Sequence, residues 1–392
     1  CVKIYVKEDI MNEEIAVYIH IPFCQSKCYY CDFTSYVNCD LKIEEYIDAL
    51  ILEILQNSEI LSTRKIKSIY FGGGTPSYID PKYIERILDV LRMFLSEDAE
   101  ITIEANPNSL TFEKVEIYKR SGINRISIGL QSTYDEILKS IGRKHTYSDF
   151  LKALEDCKNG GIKNISLDLI YPLPYLTLDK FSVTLDKVIN LSKNYDIKHI
   201  SIYNLEIHEN TKLEFLLKEG FYNLVSEDEE YEMKCMLEDK LQNAFFYKYE
   251  ISNFAKKGYE SKHNLTYWYQ QEYLGFGVAA ASFFCGTRYK NTNNIDEYIN
   301  GINNGNNILI EKEELNKLDL EKEYIILNLR LIDGINISKF RQKFNTDLFD
   351  IFKEELTYLF KTKLIEYKNN KQNIALTKRG MEVANLVWEK FI

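Results

Sequence analysis

Residues 15–31 read Ile15-Ala-Val-Tyr18-Ile-His20-Ile-Pro-Phe-Cys24-Gln-Ser-Lys-Cys28-Tyr-Tyr30-Cys31. A run rich in β-branched and aromatic residues stops at Pro22, and three cysteines then fall within eight residues. The run reads as a strand and the cysteines as a loop leaving it. Three thiolates at this spacing can hold three corners of a cubane iron–sulfur cluster, leaving the fourth iron without a protein ligand. An open coordination position belongs to catalytic metal sites, not to closed structural ones. A zinc knuckle completed from afar by Cys39 or His20 is the competing reading. Zinc loops favour paired Cys-x-x-Cys units, and no second pair exists here. A chance core cluster fits poorly beside Pro22, Lys27 and Asp32. Of the other cysteines, Cys157 lies on an apolar helical face and reads as core. Cys39 precedes a helix start, and Cys1, Cys235 and Cys285 have no ligand-like neighbours.

Downstream, strand-like runs at 67–71, 100–104, 125–131, 164–170 and 199–205 alternate with helical patterns. Asp40 precedes an apolar face of Ile43, Tyr46, Ile47, Leu50, Ile51 and Ile54. Asp80-Pro81 reads as a cap with proline in the first turn, and Asn159-Gly160-Gly161 as a helix stop. Six strands alternating with helices predict right-handed crossovers and a parallel sheet. The strands are apolar on one face only. Ile101 and Ile103 alternate with Glu100, Thr102 and Glu104; Ile126, Ile128 and Leu130 with Ser127, Gly129 and Gln131; Ile165, Leu167 and Leu169 with Ser166 and Asp168. A closed eight-stranded barrel fills its interior with branched apolar side chains. Polar inner faces predict a wider, open, curved sheet around a polar ligand.

Ligands of parallel sheets bind at the strands' C-terminal edge. Glu104, Gln131 and Asp168 each end a polar face there, and Tyr18 and His20 share a face of the first strand aimed toward the cysteines. The Phe71-Gly72-Gly73-Gly74-Thr75-Pro76 turn lets backbone approach a ligand closely. Arg143 offers a partner for a carboxylate, and Glu104 suits ribose hydroxyls. Each residue alone is also explained as a solvated strand end or a tight turn; their convergence favours a ligand.

The chain has 392 residues, 45% hydrophobic and 28% charged, with a formal net charge of −10. That balance excludes a general nucleic-acid or anionic-membrane binder. No apolar run reaches the about 20 residues of a membrane span, and residues 1–10 lack a signal peptide's apolar stretch, so a cytoplasmic protein is the default. Met11 reads as a natural start. All six prolines lie within residues 22–174, which divides the chain in composition. The expected organisation is an N-terminal extension at 1–11, a partial barrel at 12–215, an aromatic-rich connecting segment at 216–305 and a C-terminal domain at 306–392. A helix starts at Ser226. The last unit ends in two short strands, Leu364–Tyr367 and Ile374–Thr377, before a final helix with Trp388. It reads as a smaller α+β, winged-helix-like domain used for packing or as a lid.

Taken as a set, Tyr18-Ile-His20-Ile-Pro-Phe-Cys24 with Cys28 and Cys31, the Gly72–Pro76 loop, Glu104-Ala-Asn-Pro107, Ser127-Ile-Gly-Leu-Gln131-Ser, Gly142-Arg143-Lys-His145-Thr and Asp168-Leu-Ile-Tyr-Pro-Leu-Pro174 resemble the oxygen-independent coproporphyrinogen III oxidase family of radical-SAM proteins. The likeness runs from Tyr18 to the C-terminus. Within the family the sequence is more similar to the HemW-type heme chaperones. The oxidases carry a further cysteine two residues after the third cluster cysteine, and here that residue is Phe33. Tyr249-Glu-Ile-Ser-Asn-Phe254, His263-Asn-Leu-Thr-Tyr-Trp268 and Leu376-Thr-Lys-Arg-Gly380 resemble signatures of the chaperone group.

The resemblance implies an α/β fold, a partial parallel (β/α)6 radical-SAM barrel with the winged-helix-like domain appended. It implies a 4Fe–4S cluster on Cys24, Cys28 and Cys31. It implies S-adenosylmethionine against Tyr18, Tyr30, Gly73, Gly74, Thr75, Glu104, Gln131, Arg143 and Asp168. It also implies heme as a ligand and heme-acceptor proteins as partners, in place of true coproporphyrinogen oxidase activity. The alternative is the oxidase itself or another SAM-dependent enzyme acting on a tetrapyrrole. One departure stands out. The group's Gly-x-Gly-Pro-Gly-Ala-His-Ser run is here Gly275-Phe-Gly-Val-Ala-Ala-Ala281-Ser282, with Ala281 in place of histidine. That leaves His263, among Phe254, Tyr267 and Trp268, as a candidate heme ligand beside its reading as a structural histidine.

Overall fold

The computed structural model describes residues 14–392. The expected extension at 1–11, with Cys1 and Met11, lies outside the described residues. Six strands, β1 (Glu14–Ile21), β2 (Lys65–Gly73), β3 (Leu95–Ala105), β4 (Arg125–Gln131), β5 (Ile165–Tyr171) and β6 (Ile197–Asn204), pair in parallel in sequence order. Helices Ile43–Gln56, Pro81–Leu91, Phe112–Ser121, Tyr147–Asn159 and Leu178–Leu191 cross between them. Local chemistry sets their ends. Asp80 caps Pro81–Leu91 by accepting from Lys82 N, and Thr146 with Asp149 forms a capping box on Tyr147–Asn159.

Burial follows the alternation read from sequence. Ile126, Ile128, Leu130, Ile165, Leu167 and Leu169 are fully buried in one large core that includes the crossing helices. The opposite faces are polar and equally buried, with Thr102, Ser127, Gln131, Ser166, His199 and Ser201 all inside. A polar interior is therefore enclosed, not solvated.

The segment 216–305, expected as a connection, instead supplies strands on both sides of the parallel six. β7 (Tyr247–Lys248) and β8 (Asn253–Ala255) extend it beyond β6. β9 (Tyr273–Phe276) pairs in parallel with β1, and β10 (Ala281–Phe284), β11 (Thr287–Asn291) and β12 (Leu309–Glu314) follow antiparallel. The full order of the twelve strands is β12-β11-β10-β9-β1-β2-β3-β4-β5-β6-β8-β7. Strands of two to five residues are too short to display a period of two. β12 also falls inside the expected C-terminal unit, and its Glu-Lys-Glu-Glu run suits an exposed edge.

Helix Lys262–Trp268 seals the N-terminal end of the barrel. Its His263 packs between Ser68 of β2 and Tyr267, while Ser261 at its cap accepts from Arg125 of β4. Beside it Tyr249 meets His199, which also bonds Ser166.

A second core gathers Tyr324, Phe340, Leu356, Ile374 and Val387. Helices Lys317–Asn328, Ile337–Phe344 and Lys353–Lys361 pack there on a small sheet, in which β15 (Asn373–Leu376) lies between β13 (Ile335–Asn336) and β14 (Ile365–Lys368). That order of three helices and a three-stranded wing has winged-helix topology. The final helix is broken at Val383 into Lys378–Glu382 and Ala384–Trp388. The Arg330 guanidinium sits 4.4 Å from the Trp268 ring and 5.0 Å from the Trp388 ring, joining the second core to the barrel plug. No helix among the described residues is long and apolar enough to cross a membrane.

Candidate cluster and cofactor site

The cysteine loop leaves β1 at Pro22 and folds back on itself. Cys24 N donates to Tyr36 O at 2.9 Å, and Tyr36 N to Pro22 O at 2.7 Å. Its tip is tied to the barrel where Tyr29 N donates to Ile141 O and Tyr29 O accepts from Leu213 N. The glycine turn after β2 runs directly beneath it. Gly74 N donates to Ile21 O at 2.9 Å, and a Cβ on Gly74 would lie 2.8 Å from the Pro22 carbonyl carbon. The glycine is there because two backbones touch.

Cys24, Cys28 and Cys31 wall one cavity of about 420 Å³ at the C-terminal edge of the sheet. The same cavity brings together Tyr30, Gly73, Gly74, Thr75, Glu104, Gln131, Arg143 and Asp168 from successive strand ends. Thr75 Oγ1 lies 3.5 Å from Cys24 Sγ and accepts from Asn106 Nδ2 at 3.1 Å. Arg143 donates to Asn106 Oδ1 and Gly129 O at 2.6 Å each, and its other terminal nitrogen faces Cys28 Sγ at 3.5 Å. Tyr70 OH donates to Glu104 Oε1 at 2.8 Å, and Ser127 Oγ to both Asp168 oxygens.

One member of the expected set, Tyr18, lies elsewhere, together with His20. Tyr18 donates its hydroxyl to His20 Nδ1, while His20 Nε2 donates to Thr34 O. Both residues wall a second cavity with Tyr267, Tyr273, Ala281 and Lys290, which meets the first at Asp32 and Phe33. The Gly73 turn explains the offset, because the space a Cβ would take on Gly73 is filled by the His20 ring, 2.5 Å away. Ala281, where the resembled group carries histidine, therefore faces this second cavity.

His263 is also not placed as a heme ligand. It is 1% exposed, its Nδ1 is 3.1 Å from Ser68 Oγ and its Nε2 2.7 Å from Tyr267 OH. Both ring nitrogens are engaged, and the ring lies at the barrel's sealed end. Burial first, then the charges of Arg125 and Lys67, lowers its pKa to about 3.

Desolvation dominates the electrostatics of the cysteine cavity. Burial and then the Asp168 charge raise Glu104 to about 7, against hydrogen bonds from Tyr70 and Gly73. Burial raises Asp168, opposed by the hydroxyls of Ser201 and Ser127. Burial pushes the Cys31 thiol up to about 11 and raises Cys24 as well. Such thiols ionise when a metal supplies the compensating charge.

The donor set fits a cluster better than a single ion. Among the described residues no three His, Cys, Asp or Glu side chains converge as a mononuclear site needs, yet three cysteines share the cavity wall. His20 has both nitrogens engaged, so the zinc alternative lacks that fourth ligand. A polar ligand is accommodated too, since Gln131 Oε1 is buried on this wall without a hydrogen-bond partner.

Sequence reasoning missed Tyr70, Asn106 and His208 as members of the site, the last two because they lie beyond the strands' apolar alternation, whereas Tyr203 stands on the polar face that alternates with Ile200 and Ile202. Tyr70 shares the polar face of β2 with Ser68 and Gly72, a signal that was present. His208 lies in the loop after β6, where no pattern marks it.

Residues 18–188 match the radical SAM superfamily, and residues 315–383 the HemN C-terminal domain. The chain is 36% identical to heme chaperone HemW of Lactococcus lactis over 98% of each chain. It is 34% identical to heme chaperone HemW of Bacillus subtilis over 96% of this chain and 99% of that one. The solved coproporphyrinogen III oxidase (HemN) of Escherichia coli, a radical SAM enzyme, superposes with a TM-score of 0.83 at 23% identity, covering 97% of this chain and 90% of that one. At that identity the likeness is one of fold.

Proposed function

The chain belongs to the HemW family within the radical-SAM superfamily, and from that premise we propose that it binds heme and passes it to acceptor proteins. The observation that carries this reading is identity sustained over nearly the whole length of relatives named heme chaperones. Phe33 supports it, because it stands where the oxidases carry a further cysteine and is 63% exposed between the two cavities.

The superfamily implies a 4Fe–4S cluster and S-adenosylmethionine. Cys24, Cys28 and Cys31 are the residues to hold the cluster, which when bound supplies an electron to the sulfonium of S-adenosylmethionine. Tyr30, Gly73, Gly74, Thr75, Glu104, Gln131, Arg143 and Asp168 are those to contact the latter. Arg143 would pair with its carboxylate, Glu104 would accept from ribose hydroxyls, and Gln131 Oε1 would gain the donor it lacks.

A second reading, catalysis on a tetrapyrrole, draws on the completeness of that polar wall. Anaerobic reconstitution followed by parallel heme titration and coproporphyrinogen turnover separates the two. The expected result is a shifted Soret band with no decarboxylation. Turnover without heme binding favours the enzyme, and zinc with no broad iron–sulfur absorbance removes the cluster from both.

A further inference from the structure

The chain has five histidines, and four are committed to the fold. His20 and His263 use both ring nitrogens, as described. His199 uses Nδ1 toward Ser166 Oγ at 2.8 Å and Nε2 toward Tyr249 OH at 2.9 Å. His145 is 4% exposed and its Nε2 contacts Leu130 O at 3.2 Å. Burial leads in lowering the pKa of all four, so each is a neutral ring enclosed by protein.

His208 differs in every respect. Its side chain is 40% exposed and lines the mouth of the cysteine cavity. Its Nδ1 lies 3.5 Å from Asp32, the residue after Cys31, and its Nε2 3.7 Å from Glu206, so both contacts are looser than a good hydrogen bond. A carboxylate stands near each ring nitrogen and neither holds it in a tight hydrogen bond, so one nitrogen can keep its proton against a carboxylate while the other turns its lone pair to a metal.

Around it the mouth carries what a porphyrin needs. Phe33 is 63% and Tyr203 43% exposed, giving aromatic planes, and Leu205 adds apolar surface. Lys27 lines the same cavity and offers a cation to a propionate.

We propose that His208 is the axial ligand through which this chain holds heme iron at the mouth of the cysteine cavity, with Asp32 orienting the ring. This rests on the heme-binding reading above. It places the heme over the cluster site and not on His263, whose ring is enclosed between Ser68 and Tyr267.

The test is heme titration of the reconstituted full chain, read by Soret absorbance and by electron paramagnetic resonance of the ferric form. Wild type, His208→Ala, Asp32→Asn and His263→Gln are compared. His208 makes no hydrogen bond that the fold needs, so His208→Ala keeps its circular dichroism and its iron–sulfur absorbance. It is expected to raise the Kd for heme more than about tenfold and to lose the imidazole-ligated spectrum. Asp32→Asn weakens binding less and alters the spectrum, whereas His263→Gln keeps the wild-type spectrum. Wild-type heme binding with an unchanged spectrum and Kd in His208→Ala overturns the assignment and leaves the chaperone reading standing. Absence of heme binding in wild type overturns both.

Discussion

At the scale of single residues, environment matters more than residue type. His263 and His208 share a side chain, but one is locked between Ser68 and Tyr267 and the other stands at a cavity mouth. Sequence could flag His263 because it sits in an aromatic signature; it could not show that Ser68 and Tyr267 take both nitrogens, because Ser68 is 195 residues away. The cysteines were legible, since their ligand spacing lies within one loop. The consequence for acid stability has a definite sign. The folded value of His263, about 3, lies below the ordinary 6.5, so the unfolded chain takes up the proton first as pH falls. The stability contributed by the neutral ring is complete above about pH 6.5 and is lost as the pH drops toward about 3. His263→Gln is expected to flatten the dependence of urea-unfolding stability between pH 6.5 and 5 by up to about 1.4 kcal/mol per pH unit relative to wild type. Parallel slopes for the two proteins count against this account.

At the scale of elements, the six parallel strands were legible because each is long enough to show two distinct faces. β7 to β12 were not, since β9 is made a strand by pairing with β1 and β8 by pairing with β6, the others add on to these, and none of that pairing is written in their short sequences. The glycine turn was legible as a motif but not as a contact. Its Gly74 is pressed against the backbone of the cysteine loop, with Ile21 O 2.9 Å and Phe23 N 2.9 Å from where a Cβ would lie. Gly74→Ala is therefore expected to cost about 1–3 kcal/mol through overpacking and to displace Cys24. Iron content per chain after reconstitution should drop, while an alanine at Gly161, far from the loop, leaves it unchanged. Full iron loading in Gly74→Ala excludes the contact as the reason for this glycine.

At the scale of the whole molecule, two separate cores are joined partly by one cation. Arg330 lies between Trp268, on the helix that plugs the barrel, and Trp388, near the C-terminus. Burial lowers its pKa, with the Glu250 and Glu206 charges working against that. A desolvated cation over an aromatic ring contributes about 2 kcal/mol. Arg330→Ala is expected to speed hydrogen exchange in β13–β15 while β1–β6 keep their protection; uniform exchange across both sheets speaks against a clamp. The plug held there has its own consequence. With His263, Arg125 and Ser261 closing one end of the barrel, the cysteine cavity has no outlet on that side, and its exposed rim carries Phe33 and His208. Traffic through a chamber closed on one side is last in, first out. A flat ligand lying across the rim would have to depart before anything beneath it could be exchanged, so the order of loading is built into the shape of the chamber.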